Sequence, residues 1–165
     1  MKSRPIMNTT APSQDSSSSP ENVWFVDIIR IWCGDHLGWN ELSVVVDCSN
    51  PRILSWRLSP KGDSHTVEGA LQDSLTAHFG KSLESLDNLK IESDRSTIFS
   101  SRHYKELLER LGISHIFSIP QPSSSIDSYV KSAGMSLSET IQRSVPPCAS
   151  LDDIRQMIRH SPWTS

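Results

Sequence analysis

The run Val23-Trp24-Phe25-Val26-Asp27-Ile28-Ile29-Arg30-Ile31-Trp32 constrains this chain more than any other feature. It is rich in β-branched and aromatic residues, and Gly34 closes it, which predicts a strand covered on both faces. A carboxylate stands in its middle. Burying an unpaired carboxylate costs on the order of several kcal/mol, so Asp27 needs a compensating cation or hydrogen-bond donors. Arg30 and Arg57 are candidate partners for it.

Two more strands follow closely. Leu42–Cys48 is the second and Arg52–Leu58 the third, with Asn50-Pro51 as the turn between them. Connections this short favour an antiparallel meander. A helix then carries Val67, Leu71, Leu75 and His78/Phe79 at helical spacing, with Ser64 as its cap and Gly80 as its stop. Leu89–Asp94 reads as a fourth strand ending on an acid. A second helix opens near Ser101, lines up Tyr104, Leu107, Leu108 and Leu111, and stops at Gly112. Ile113–Ile119 is a fifth strand, cut by Pro120 and Pro122. After a serine-rich loop comes a weak helical stretch from about Asp127 to Gln142, with Gly134 inside it. Pro146-Pro147 breaks the chain. Ser150-x-x-Asp153 resembles a capping box, and it opens a last helix with Leu151, Ile154, Met157 and Ile158. Strands first and alternating units afterwards predict a mixed α/β sheet covered by helices.

The length of 165 residues suits one domain. Residues 1–21 are rich in Ser and Pro with little to bury, and disorder is expected there. Residues 22–145 form the expected folded domain, and 146–165 a C-terminal helix and tail. No run approaches the roughly eighteen apolar residues of a membrane span. The first twenty residues lack the apolar stretch of a secretory signal. A net charge of −3 argues against strong autonomous binding to nucleic acid, whose phosphates reward a basic surplus. Cys33, Cys48 and Cys148 show no disulfide framework and fit a reducing, cytoplasmic setting. Cys33-Gly-Asp-His36 with Cys48 falls short of a zinc site, which wants four ligands at tight paired spacings.

Asp94 ends the fourth strand, where side chains of a mixed sheet converge on a cleft. Asp27 and Asp94 together would repel each other unless a divalent cation neutralised them, and hard oxygen donors suit Mg²⁺ or Mn²⁺. The alternative for Asp94 is a simple cap on the turn before Ser96.

Trp24-Phe25-Val26-Asp27-Ile28 and the two strands after it resemble the opening of the retroviral-integrase-type catalytic core, shared by insertion-sequence transposases of the DDE class. Glu92-Ser93-Asp94-Arg95-Ser96-x-x-Phe99-Ser100-Ser101 resembles their second motif. The helix and strand from Tyr104 to Ser118 match the usual continuation. The resemblance spans roughly residues 22–142. It implies a ribonuclease-H-like fold, a five-stranded mixed sheet flanked by helices. It also implies metal-dependent hydrolysis and strand transfer on DNA, in transposition or integration, with Asp27 and Asp94 as the catalytic metal ligands and Mg²⁺ or Mn²⁺ as cofactor.

The match breaks at the third acid. The family pattern places it near Tyr129, Val130, Lys131 and Ser132, none of them acidic, and the alignment puts Ser132 at the glutamate's place. Glu92 also replaces the usual histidine of the second motif. Asp127 and Glu139 are the candidates for a substitute, and Lys131 is either a phosphate contact or a solvated lysine. The expectation is a divergent or weakly active transposase core. The alternative is an inactive DNA-binding or dimerisation module derived from one, and a nuclease of the same fold is a further rival. No helix-turn-helix pattern precedes Val23, so a partner polypeptide or a longer chain is expected to supply DNA recognition. A homo-oligomer is a further expected partner, and a membrane is not.

His115, in the fifth strand, has a path to the cleft. The other histidines read as surface residues, Trp24, Trp32 and Trp56 as core, and Trp39 as closing the first hairpin. Arg155 and Arg159 share a face of the last helix, by default a solvated one.

Overall fold

Alternation along the first strand divides the molecule into two cores. Trp24 and Val26 pack to one side of the sheet, and Phe25 and Ile31 to the other. The computed structural model describes residues 22–80, 86–118, 125–144 and 149–164. The expected disorder of residues 1–21, the breaks at Pro120, Pro122 and Pro146-Pro147, and Cys148 lie outside the described residues.

The strands are β1 (Asn22–Trp32), β2 (Trp39–Asp47), β3 (Arg52–Ser59), β4 (Leu89–Ser93) and β5 (Ser114–Phe117). The helices are α1 (Ser64–Phe79), α2 (Arg102–Arg110), α3 (Ser125–Ser144) and α4 (Leu151–Arg159). The sheet has five strands in the order β3-β2-β1-β4-β5. β1, β2 and β3 pair antiparallel, and β4 and β5 add in parallel. The meander and the mixed sheet are both as the spacing predicts.

α1 and α2 cover one face, burying Val67, Leu71, Leu75, Tyr104 and Leu108 against Trp24, Val26, Val45 and Ile91. α3 and α4 cover the other, burying Val130, Leu137, Ile141, Ile154 and Ile158 against Phe25, Ile31, Leu42 and Val44. Each such aliphatic side chain contributes about 1.5–3 kcal/mol by leaving water. Among the described residues, no helix is long and apolar enough to cross a membrane.

Three local readings shift. The cap of α1 is Asp63, not Ser64: its Oδ1 accepts the Thr66 N–H at 2.8 Å. An extended residue just ahead of the helix carries the acceptor, and a carboxylate there also suits the helix dipole. The Thr66 hydrogen bonds hold the Asp63 carboxyl below the usual carboxylate range. β2 begins at Trp39 rather than Leu42, because Trp39 pairs with Trp32 across the hairpin and their rings meet at 5.4 Å. α3 is a full helix of 20 residues. Gly134 does not bend it away from the sheet; a Cβ there would stand 3.2 Å from Ile29 Cδ1, so glycine lets α3 approach β1 closely.

α4 opens as its sequence predicts. Ser150 and Asp153 form a reciprocal capping box. Arg155 ties the helix to the sheet edge by donating to Leu58 O at 3.1 Å while pairing with Asp152 at 2.6 Å. It is a clamp between α4 and β3.

Candidate functional site

Parity along β1 places Asp27 in step with Phe25, Ile29 and Ile31, on the side covered by α3. β4 runs beside β1 in parallel register, Asn22 with Leu89 through Phe25 with Glu92, and ends at Ser93. Carried two residues further, that register brings Asp94 opposite Asp27. Both acids therefore stand where β4 leaves the sheet and a cleft opens at strand C-termini, the usual place for a site in α/β sheets.

Asp27 is half-buried, and burial is the main force that pushes its carboxyl up, to about 6. The Ile28 N–H donates to its Oδ1 at 2.7 Å and opposes that shift. The charges of Asp94 and Asp127 raise it further, and the charge of Lys131 lowers it. Asp94 is exposed, and its Oδ1 accepts the Ser96 N–H at 3.0 Å. The turn cap and the place beside Asp27 thus coexist in one side chain.

Neither arginine offered by the sequence pairs with Asp27. Arg57 grips Asp73 with two bonds of 2.9 and 3.0 Å. Arg30 lies over the Trp39 ring, 5.4 Å from its centroid. The cation whose charge acts on Asp27 comes from α3: it is Lys131, the smallest of the influences on that carboxyl, with a side chain 70% exposed.

α3 and β1 lie alongside each other in a steady register. Ser138 Oγ accepts the Trp32 N–H at 3.3 Å, Gly134 backs onto Ile29, and Lys131 lines one cleft with Asp27. Three-residue and four-residue steps keep 127, 131, 134 and 138 on one helix face. Ser132 falls off that face and is exposed. Of the two, Lys131 is the one that lines the cleft with Asp27, and both side chains are exposed. Its Nζ donates to Asp127 Oδ2 at 2.7 Å. Glu139 also lines the cleft, with its Oε2 3.8 Å from Arg143 Nη2. The cleft holds about 580 Å³ and runs on to the exposed side chains of Trp39 and Met135.

His115 does not enter this cleft. It faces the α2 side, 2.9 Å from Ser93 Oγ and edge-on to Tyr104, and burial lowers its pKa. Glu92, at the family's histidine position, accepts from the Ser118 hydroxyl at 2.8 Å. Cys33 is buried, and burial pushes the Cys33 thiol up to about 11 and Cys48 to about 12, so neither is a ready thiolate ligand. Among the described residues, no three His, Cys, Asp or Glu side chains group to hold a metal ion. Two facing carboxylates with a lysine beside them do not fit a divalent centre of the three-carboxylate kind.

The position of Lys131 was the feature the sequence did not reveal. Its spacing from Asp127 was visible as an ordinary helical ion pair. Which side of α3 meets β1 depends on Gly134 and Ser138, whose contacts lie far away in the chain.

Solved structures share this architecture. A chain of the simian T-cell lymphotropic virus intasome, in complex with the PP2A regulatory subunit B56 gamma, superposes with a TM-score of 0.63 at 20% identity. That match covers 84% of this chain and 47% of the other, so this chain spans about half of that length. The HTLV-2 integrase catalytic core domain in complex with magnesium gives 0.59 at 18% identity, covering 85% and 84% of the two chains. The BIV integrase catalytic core domain gives 0.59 at 14%, covering 84% and 80%. At these identities the likeness shows the fold, which is ribonuclease-H-like. No curated protein matches the chain by sequence. The model of the integrase core domain matches residues 17–123, well over half of the chain. A family match of that extent, over the strands that bring Asp27 and Asp94 together, makes this chain a member of the integrase core domain family.

Proposed function

We propose that this chain is a divergent integrase core of the transposase type, a DNA-engaging module whose phosphodiester hydrolysis and strand transfer are strongly impaired. The observation that carries the reading is Lys131 in the cleft beside Asp27, at the place where the family pattern asks for an acid.

Asp27 and Asp94 are the residues assigned to the reacting phosphate. In an active core they would be the catalytic metal ligands, and Mg²⁺ or Mn²⁺ would supply Lewis-acid charge. Here the donor set stops at two facing carboxylates, and burial favours the protonated form of one of them. Positioning and charge neutralisation supply most of the catalysis in phosphoryl transfer, so loss of a ligand is costly. The related structures include HTLV-2 cores in trimeric and dimeric form and an intasome, which supports a homo-oligomer and a partner polypeptide for this chain too. The net charge of −3 agrees with DNA contact that depends on such assembly.

The test uses a linear DNA duplex and Mn²⁺. Fluorescence anisotropy should show salt-sensitive binding, and nicking should stay near background in both the wild type and Asp94→Asn. Robust nicking that Asp94→Asn abolishes would overturn the impairment. Absence of any salt-sensitive DNA binding would overturn the DNA reading itself.

A further inference from the structure

We infer that the Lys131 ammonium is the built-in counter-cation of this cleft, supplying the positive charge that a divalent ion would otherwise bring. The inference rests on the integrase-core reading of Asp27 and Asp94.

Asp27 lines the cleft, and the charges of two further acids from other elements are felt there. Asp27 comes from β1, Asp94 from the residue just after β4 and Asp127 from the first turn of α3. The charges of Asp94 and Asp127 both act on Asp27. Such a group needs positive charge to coexist in the ionised state. α3 carries that charge into place. The helix is seated by the Gly134–Ile29 approach and the Ser138–Trp32 bond, so the residue one turn before Gly134 lines the cleft. That residue is Lys131, held at 2.7 Å by Asp127.

An ammonium differs from Mg²⁺ in what it can do. It is monovalent, donates hydrogen bonds and offers no open coordination position. It therefore offsets part of the negative charge without activating a water. A lysine tethered to the helix is also always present, whereas a free ion must enter against its charge. The substitution explains together why Asp27 keeps a compensating charge and why, among the described residues, no three carboxylates group to hold a metal ion, Asp127 being held by Lys131.

The experiment titrates Mn²⁺ alone into the full chain, without DNA. Bound ion is read by loss of the free-Mn²⁺ electron paramagnetic resonance signal, and by the shift in thermal midpoint. Lys131→Glu removes the competing charge and adds a donor, and it should bind Mn²⁺ at least about tenfold tighter than the wild type, since ligand charge count sets affinity at oxygen sites. Adding Asp27→Asn to that variant should abolish the gain. Lys131→Met removes the charge without adding a donor and should bind more tightly than the wild type but less tightly than Lys131→Glu. It also keeps the question open to test if the glutamate variant folds poorly. Wild-type binding as tight as that of either variant would overturn the inference, as would a gain that survives Asp27→Asn. None of these readouts involves DNA, so failure here and failure of the DNA reading are separate results.

Discussion

Replacing Asp27 by asparagine should stabilise the protein, although Asp27 is the residue assigned to the reacting phosphate. The magnitude follows from its titration. Burial raises the carboxyl from an ordinary 3.8 to about 6 in the folded chain. A raised carboxyl means that the folded state binds the proton more tightly than the unfolded state. Stability therefore falls as pH rises from the unfolded value to the folded one. Below pH 3.8 the side chain is neutral in both states and costs nothing by this route. Above about pH 6 the full penalty is present, and the rise from 3.8 to about 6 corresponds to about 3 kcal/mol. The asparagine side chain has nearly the same shape and does not titrate. Urea unfolding with chelator present, at intervals from about pH 3.5 to 8, should show Asp27→Asn ahead of the wild type by roughly 3 kcal/mol near pH 7.5, with the gap closing toward about pH 4. A gap that does not change with pH would refute the argument, as would an asparagine variant less stable than the wild type at the alkaline end of the series. Either result would mean that the Ile28 N–H and Lys131 compensate the ionised carboxylate fully.

Two structural predictions accompany this one. Gly134→Leu should cost about 1–3 kcal/mol in chemical unfolding, because a Cβ already meets Ile29 at 3.2 Å and a longer side chain must push α3 from β1; a variant as stable as the wild type would show that α3 is not seated on that contact. Ser150→Ala should cost about 1 kcal/mol, through loss of the capping box at α4, and an unchanged urea midpoint would count against it.

The fold was readable because its signals are local. The apolar run of β1, the turn at Asn50-Pro51, the helix stop at Gly112 and the capping box at Ser150 each act within a few residues, and the order of the first three strands follows from short connections. The acid pair was readable for a related reason. A carboxylate inside the apolar run at Asp27 and another ending the strand at Asp94 are anomalies in the pattern, and anomalies of that kind cluster at sites. The third position was not readable. Residues 129–132 present four side chains within one helical turn, and sequence alone does not say which of them faces the sheet.

The amino-acid sequence by itself determined the elements of this protein, the mixed character of its sheet and the two acids, one inside β1 and one just after β4, because these depend on neighbours along the chain. Tertiary structure alone decided the rotation of α3, by seating Gly134 on Ile29 and Ser138 on Trp32. That rotation puts Lys131, and not Ser132, on the rim of the cleft that Asp27 lines. The charge in the cleft is set by packing between segments about a hundred residues apart, as the Trp32–Ser138 bond shows.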